Sequence, residues 1–223
     1  MTRLLVHVEG QTEETFTKTV LAPHLYNIGY TSVGARLLGN SRARLNRGGI
    51  RDWSTVKKDL RTRLSYDQDL IAGLMVDYYA LPNTWPGRPT SNRVPVADRG
   101  IHIEQAILAD FEADTGIMGR FEPHILLHEF EALLFSDCHS FATAIGHADK
   151  ADALQGIANQ FESPEHINDH PNTAPSKRVM GVIPGYQKPL YGNVGAMEIG
   201  LPQIRAKCPS FDGWVSRLEN RAP

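Results

Sequence analysis

The sequence holds only two cysteines, Cys138 and Cys208, among 223 residues. They form neither a CxxC metal knuckle nor a disulfide framework, so they read as small core residues of a reducing compartment. Long hydrophobic runs are also missing. No stretch approaches the roughly 20 apolar residues that span a bilayer, and Met1-Thr2-Arg3 leads into a strand-like run, not a signal peptide. A cytoplasmic chain without a membrane partner is expected. The formal net charge is only −2, so bulk charge does not announce a nucleic-acid binder. There is no Walker loop, dinucleotide fingerprint, internal repeat or low-complexity tract, and nothing positions a Ser-His-Asp or Cys-His arrangement. What remains is ordinary globular material, 41% hydrophobic and 22% charged. It is enough for one sizeable core, or a core with an appended subdomain.

The chain is organised around Leu4-Leu5-Val6-His7-Val8-Glu9-Gly10-Gln11-Thr12-Glu13-Glu14. A short apolar run bounded by a turn signal reads as a buried parallel strand, and Thr12 followed by acidic residues reads as a helix start. Open α/β sheets bind ligands beyond the carboxyl ends of their strands, where Glu9 sits. The plainer alternative is that Glu9 caps the next helix. Residues 69–77, Asp-Leu-Ile-Ala-Gly-Leu-Met-Val-Asp, repeat the pattern with Asp77 at the end. Two parallel strands ending in carboxylates can put both acids on one edge, as hard oxygen ligands for Mg²⁺. Asp77 is otherwise a turn starter. A third landmark, His124-Ile125-Leu126-Leu127-His128-Glu129-Phe130-Glu131, reads as a strand to about Leu127 running straight into a helix. At such a junction Glu129 or Glu131 could face Glu9 and Asp77. Ala132 follows Glu129 by three, so this is not a His-Glu-x-x-His zinc site.

Between these landmarks lie two further features. Residues 36–63 carry nine cations, Arg36, Arg42, Arg44, Arg47, Arg51, Lys57, Lys58, Arg61 and Arg63, against only Asp52 and Asp59. Such a face can attract phosphates; the alternative is a solvated helix face and a mobile loop. Trp53, Val56, Leu60 and Leu64 recur at helical spacing and turn Lys57, Lys58, Arg61 and Arg63 outward. Residues 81–100, with four prolines and Arg88, Arg93 and Arg99, form a long irregular loop of the kind that often serves as a lid, and directly after Asp77 it should overhang the carboxylate edge. Earlier, Pro23 and Gly29 mark the end of the first helix or a kink.

Strand-Glu9-Gly10-x-Thr12-Glu13-Glu14, Val76-Asp77-Tyr78-Tyr79 and His128-Glu129-Phe130-Glu131-Ala132-Leu133-Leu134-Phe135, with the tail motif Gly185-Tyr186-Gln187-Lys188-Pro189-Leu190-Tyr191-Gly192 followed by Phe211, Trp214 and Leu218-Glu219, resemble the bacterial domain of unknown function 4276. That group is similar to the Toprim (topoisomerase-primase) nucleases, notably those of the overcoming-lysogenisation-defect type. In Toprim enzymes a first-strand glutamate works with an Asp-x-Asp at the end of a later strand to hold Mg²⁺ and handle protons. Glu9 matches the first and Asp77 the leading aspartate. Tyr79 stands where the second aspartate would be, and a phenol with a reference pKa near 10 is no hard anionic ligand at neutral pH. Either Glu129 or Glu131 supplies the missing charge, or the site has lost catalytic competence.

The expectation is therefore a single Toprim-like α/β domain over residues 1–223. Residues 1–137 would form a mostly parallel sheet of about four strands flanked by helices, with a metal-site edge, and residues 138–223 a helical C-terminal portion. The resemblance implies a Mg²⁺ (or Mn²⁺) dependent nuclease of a bacterial defence or mobile-element system. Its catalytic residues would be Glu9, Asp77 and Lys177, its metal ligands Glu9, Asp77, Glu129 and Glu131. Arg42, Arg44, Arg47, Lys57, Lys58 and Arg61 would hold DNA or RNA. Lys177 is otherwise an exposed loop cation. The other readings are a non-catalytic partner or sensor subunit beside an ATPase, and phosphoryl transfer on a small nucleotide; a homodimer stays open.

Overall fold

The computed structural model describes residues 1–38, 50–167 and 173–223. Its first strand, β1 (Arg3–Val8), alternates cleanly: Leu4, Val6 and Val8 enter one apolar cluster while Leu5 packs against the other. Both faces are thus covered, the situation of a parallel strand between helical layers. Strand β2 (Ser32–Leu37), β3 (Leu70–Asp77) and β4 (Phe121–Leu126) complete a four-stranded sheet in the order β2-β1-β3-β4, every pairing parallel. The fold is α/β with about the expected number of strands, flanked by helices and followed by a helical C-terminal portion.

Helix α1 (Gln11–Phe16) passes through a π-helical turn (Thr17–Leu21) into α2 (Ala22–Asn27). Pro23 therefore does not end the helix. It lacks an N–H and crowds the carbonyl of the preceding turn, and the widened π turn just before it accommodates that crowding. Helix α3 (Trp53–Tyr66) joins β2 to β3, and α4 (Arg99–Thr115) joins β3 to β4, closing on Gly116 in the left-handed conformation. The apolar residues of α1 and α2 belong to one cluster, those of α3 and α4 to the other. The sheet is accordingly wound in both directions from its centre. The chain moves outward one way from β1 and the other way from β3, so the topological switch point lies between these two neighbours.

The loop over residues 81–100 contains two 3-10 segments, Arg88–Arg93 and Val96–Asp98. Its described packing is with α3 and α4: the Trp85 indole meets Trp53 at 5.1 Å between ring centroids and donates to the Arg51 carbonyl at 3.0 Å. Its link toward the end of β3 is the pairing of Tyr78 with Ser91 and Arg88.

After β4 the expected helix over Glu129 to Phe135 is a 3-10 segment (Phe130–Ser136). Then follow α5 (Cys138–Ala144), α6 (Ala151–Ala158), α7 (Pro175–Val182), α8 (Lys188–Ile199), α9 (Leu201–Lys207) and α10 (Pro209–Glu219). Helix α10 returns to the sheet. Trp214 is fully buried against Gly73, where a side chain on residue 73 would come within 3.5 Å of the indole.

Candidate functional site

In the β1–β3 ladder Val8 lies opposite Met75, so Glu9 and Asp77 leave adjacent strands at one edge, at the switch point itself. This is where open α/β sheets place their ligands. The Glu9 Oε2 and Asp77 Oδ1 atoms are buried and have no hydrogen-bond partner in the protein. Glu9 does not cap α1. The cap position is Gly10, and it is Glu13, three residues on, whose carboxylate turns back to accept the Gly10 N–H at 3.1 Å. Thr12 falls inside the first turn instead of opening it. Glu13 is itself buried and faces the same edge, so the helix start adds a carboxylate to the four expected there.

The segment after β4 brings the remaining acids. Glu131 is buried, 3% exposed. Glu129 accepts the Ser176 N–H of α7 at 3.0 Å, and Lys188 reaches both, 3.2 Å from Glu129 Oε1 and 3.4 Å from Glu131 Oε2. Among the described residues, five carboxylates thus gather around the Lys188 ammonium. Burial pushes the Glu9 carboxyl up to about 7, reinforced by Glu13 and opposed by the Asp77 backbone amide and Lys188. Asp77 is held well above the usual carboxylate range, first by burial and then by Glu13, Glu9, Glu131 and Glu129. Burial lifts Glu13 as well, and lifts Glu131 to about 7 against the pull of Lys188. For Glu129, burial is outweighed by hydrogen bonds from Ser176 and by Lys188, which hold it below its ordinary value. The environments divide Glu129 from Glu131: one is an ionised anchor for α7 and α8, the other a buried acid with a proton to lose.

Lys188 was not anticipated. A lysine at the first position of a helix opposes the helix dipole, so its place at the start of α8 implies an anionic partner elsewhere, and this was the available signal. Lys177 instead sits exposed on α7, beside the Ser176 that holds Glu129. Tyr186 adds a buried hydroxyl without a partner, its phenol kept neutral by burial and by Glu131 and Glu129.

Of the expected nucleic-acid contacts, Arg42, Arg44 and Arg47 lie outside the described residues. Lys58 and Arg61 are exposed on α3. Lys57 is tied to Asp110 at 3.0 Å and Asp114 at 3.4 Å, and Arg36 and Arg63 both pair with Asp59. The positive surplus read along residues 36–63 is thus partly cancelled by acids of α4 that lie outside that window.

A family model described as a domain of unknown function (DUF4276) matches residues 8–219. The chain belongs to that family. No curated protein and no solved structure matches the chain. The DUF4276 match spans Glu9, Asp77, Glu129, Glu131 and Lys188, so the whole carboxylate cluster belongs to the shared region. No helix among the described residues is long and apolar enough to cross a membrane.

The donor set is made of hard oxygens, two of them orphaned, which suits Mg²⁺ or Mn²⁺. Among the described residues no three His, Cys, Asp or Glu side chains already converge as a metal cluster. A bound ion would rest on one or two carboxylates, with water or phosphate completing its shell, the mode Mg²⁺ usually takes.

Proposed function

We propose that this protein is a divalent-metal-dependent nuclease of Toprim type that hydrolyses nucleic-acid phosphodiesters. The observation that carries the reading is the pair of buried, unpartnered carboxylate oxygens of Glu9 and Asp77 at the switch point of the sheet. Buried polar atoms are normally satisfied, and acids crowded this closely must hold protons or cations. Bound Mg²⁺ would polarise a phosphoryl oxygen and activate water. Glu9, with its carboxyl near 7, is matched to take up a proton from an attacking water at neutral pH. Asp77 and one of Glu129 and Glu131 would hold the ion; the engagement of Glu129 by Ser176 and Lys188 favours Glu131. Lys188 limits the repulsion among the acids and gives an approaching phosphate a positive contact, the part first assigned to Lys177. Lys58 and Arg61 would meet the backbone farther out.

The test is isothermal titration of Mg²⁺ and Mn²⁺ into wild type and Glu9→Ala, run beside plasmid and RNA cleavage assays. We expect metal binding and cleavage in wild type, with cleavage lost and the metal held more weakly in the folded variant, which keeps Asp77 and Glu131 but lacks the proton acceptor. Cleavage that survives Glu9→Ala would sink the assignment. A second reading, a non-catalytic partner or sensor subunit of an ATPase-containing complex, is favoured by Tyr79 in place of a second aspartate. It predicts a folded protein that binds no metal and turns over nothing alone.

A further inference from the structure

Tyr79 lies two residues beyond Asp77, immediately outside β3, and is 39% exposed. A large aromatic residue with this much exposed surface next to a cluster of acids is unusual. Its ring stacks on His128, with centroids 5.7 Å apart and planes 28° from parallel. His128 is buried, 3% exposed, and directly precedes Glu129. The stack therefore bridges the ends of β3 and β4, the strand ends at which Asp77, Glu129 and Glu131 stand.

The platform is braced from behind. Tyr78 meets Tyr79 edge to face at 5.8 Å and is buried; its hydroxyl pairs with Ser91 Oγ at 2.9 Å. The Arg88 guanidinium lies 4.2 Å over the Tyr78 ring and donates to its hydroxyl. One imidazole beneath, one tyrosine at the edge and the guanidinium behind it thus hold the partly exposed ring in place. A rigid ring loses little conformational freedom when it is covered, so this is an efficient stacking surface.

We propose that Tyr79 is a stacking platform for a nucleobase of the strand being cut, and that the substrate is single-stranded nucleic acid or an unpaired end. The inference rests on the nuclease reading and adds the substrate class. In a duplex each base is already stacked on its neighbours and its face is closed, whereas an unpaired base next to the scissile phosphate can lay its face on the tyrosine. Base–aromatic stacking is worth about 1–3 kcal/mol per base and tolerates any base, so it would confer a strandedness preference without a sequence preference. The residue that replaces the second Toprim aspartate then has a binding role in place of a ligand role.

The test measures anisotropy of a labelled single-stranded decamer, a blunt duplex and a decamer of abasic sites, with Ca²⁺ in place of Mg²⁺ so that the strands persist. Proteins compared are wild type, Tyr79→Phe, Tyr79→Ala and Tyr79→Leu, the last keeping bulk without an aromatic face. Tyr79→Phe should bind the decamer like wild type, and the Ala and Leu variants about 5- to 150-fold more weakly, the range that one stack converts to. The abasic decamer should bind all four proteins equally and weakly. Equal decamer binding by wild type and Tyr79→Leu overturns the platform while leaving the nuclease reading in place. So does an equal loss on the abasic strand, because the defect would then be structural. A wild type that binds none of the three overturns both.

Discussion

Five carboxylates at one strand edge surround Lys188, and their separation into roles follows from where each one sits. Glu129 is ionised because Ser176 and Lys188 reward its charge; Glu131, deeper and two residues on, retains a proton to about 7. Lys188 lowers Glu9 and Glu131 alike. Removing it in Lys188→Met should raise both acids, so that protons compete with metal over a wider range. The pH at which Mn²⁺ binding is half lost should then move upward relative to wild type, measured by titration calorimetry at several pH values between 6 and 9. An unmoved midpoint would show that Lys188 does not face these carboxylates in solution. Glu9 and Asp77 were legible in the sequence because a polar residue closing an apolar run marks a strand's end whatever the tertiary structure. Lys188 and Glu13 were not, for different reasons. The lysine meets its partners across more than fifty residues of chain, and the glutamate satisfies a local capping pattern that hides its second role.

At the scale of elements, β4 is one of the two edge strands of the sheet and is buried along its length, its backbone closed by side chains. The Ile125 N–H donates to Glu104, Arg217 donates to the Pro123 carbonyl, and the Trp214 indole donates to the Glu122 carbonyl at 3.0 Å. Unpaired strand edges invite association with other chains, and this one is covered by α4 and α10. Trp214 is the hinge of that arrangement. It stacks on His124 at 5.4 Å, packs over Gly73 and is fully buried. Trp214→Ala should cost about 3–5 kcal/mol of stability, since it opens a large cavity and leaves a strand carbonyl without its donor. Chemical denaturation would read this as a lower midpoint with the slope kept; a loss below 1 kcal/mol would mean that α10 does not dock on the sheet. Phe211, Trp214, Val215 and Leu218 recur at helical spacing in the sequence and are the residues α10 buries, so a covering helix is legible there. Which strand it covers was not legible, because the helical period carries no information about its partner. The π turn before Pro23 was equally hidden: a proline signals a break, and only the surrounding packing decides whether the helix ends or widens.

For the whole molecule, the cluster makes stability depend on pH in a direction opposite to that of most acidic proteins. The unfolded chain releases its glutamate protons near 4.5, while the native state holds those of Glu9 and Glu131 up to about 7. Between these values the native state binds more protons than the unfolded one, so stability falls as pH rises. The stabilisation is fully present below about pH 4.5 and lost once pH exceeds about 7. Each of the two carboxyls contributes on the order of 3 kcal/mol, less for Glu9, which is not fully buried. Carboxyls held low, such as Glu129 and Glu104, act in the other direction, but their contribution is lost only in acid below their ordinary range. Hence the metal-free protein should melt lower at pH 8 than at pH 5.5. Mg²⁺ binds only the folded, ionised cluster and so should recover the loss at pH 8 while doing little at pH 5.5. Differential scanning calorimetry with and without chelator measures both arms. A metal-free melting temperature that rises from pH 5.5 to 8 would mean that the acids are ionised and compensated without a cation, and the case for a metal at this edge would fall with it.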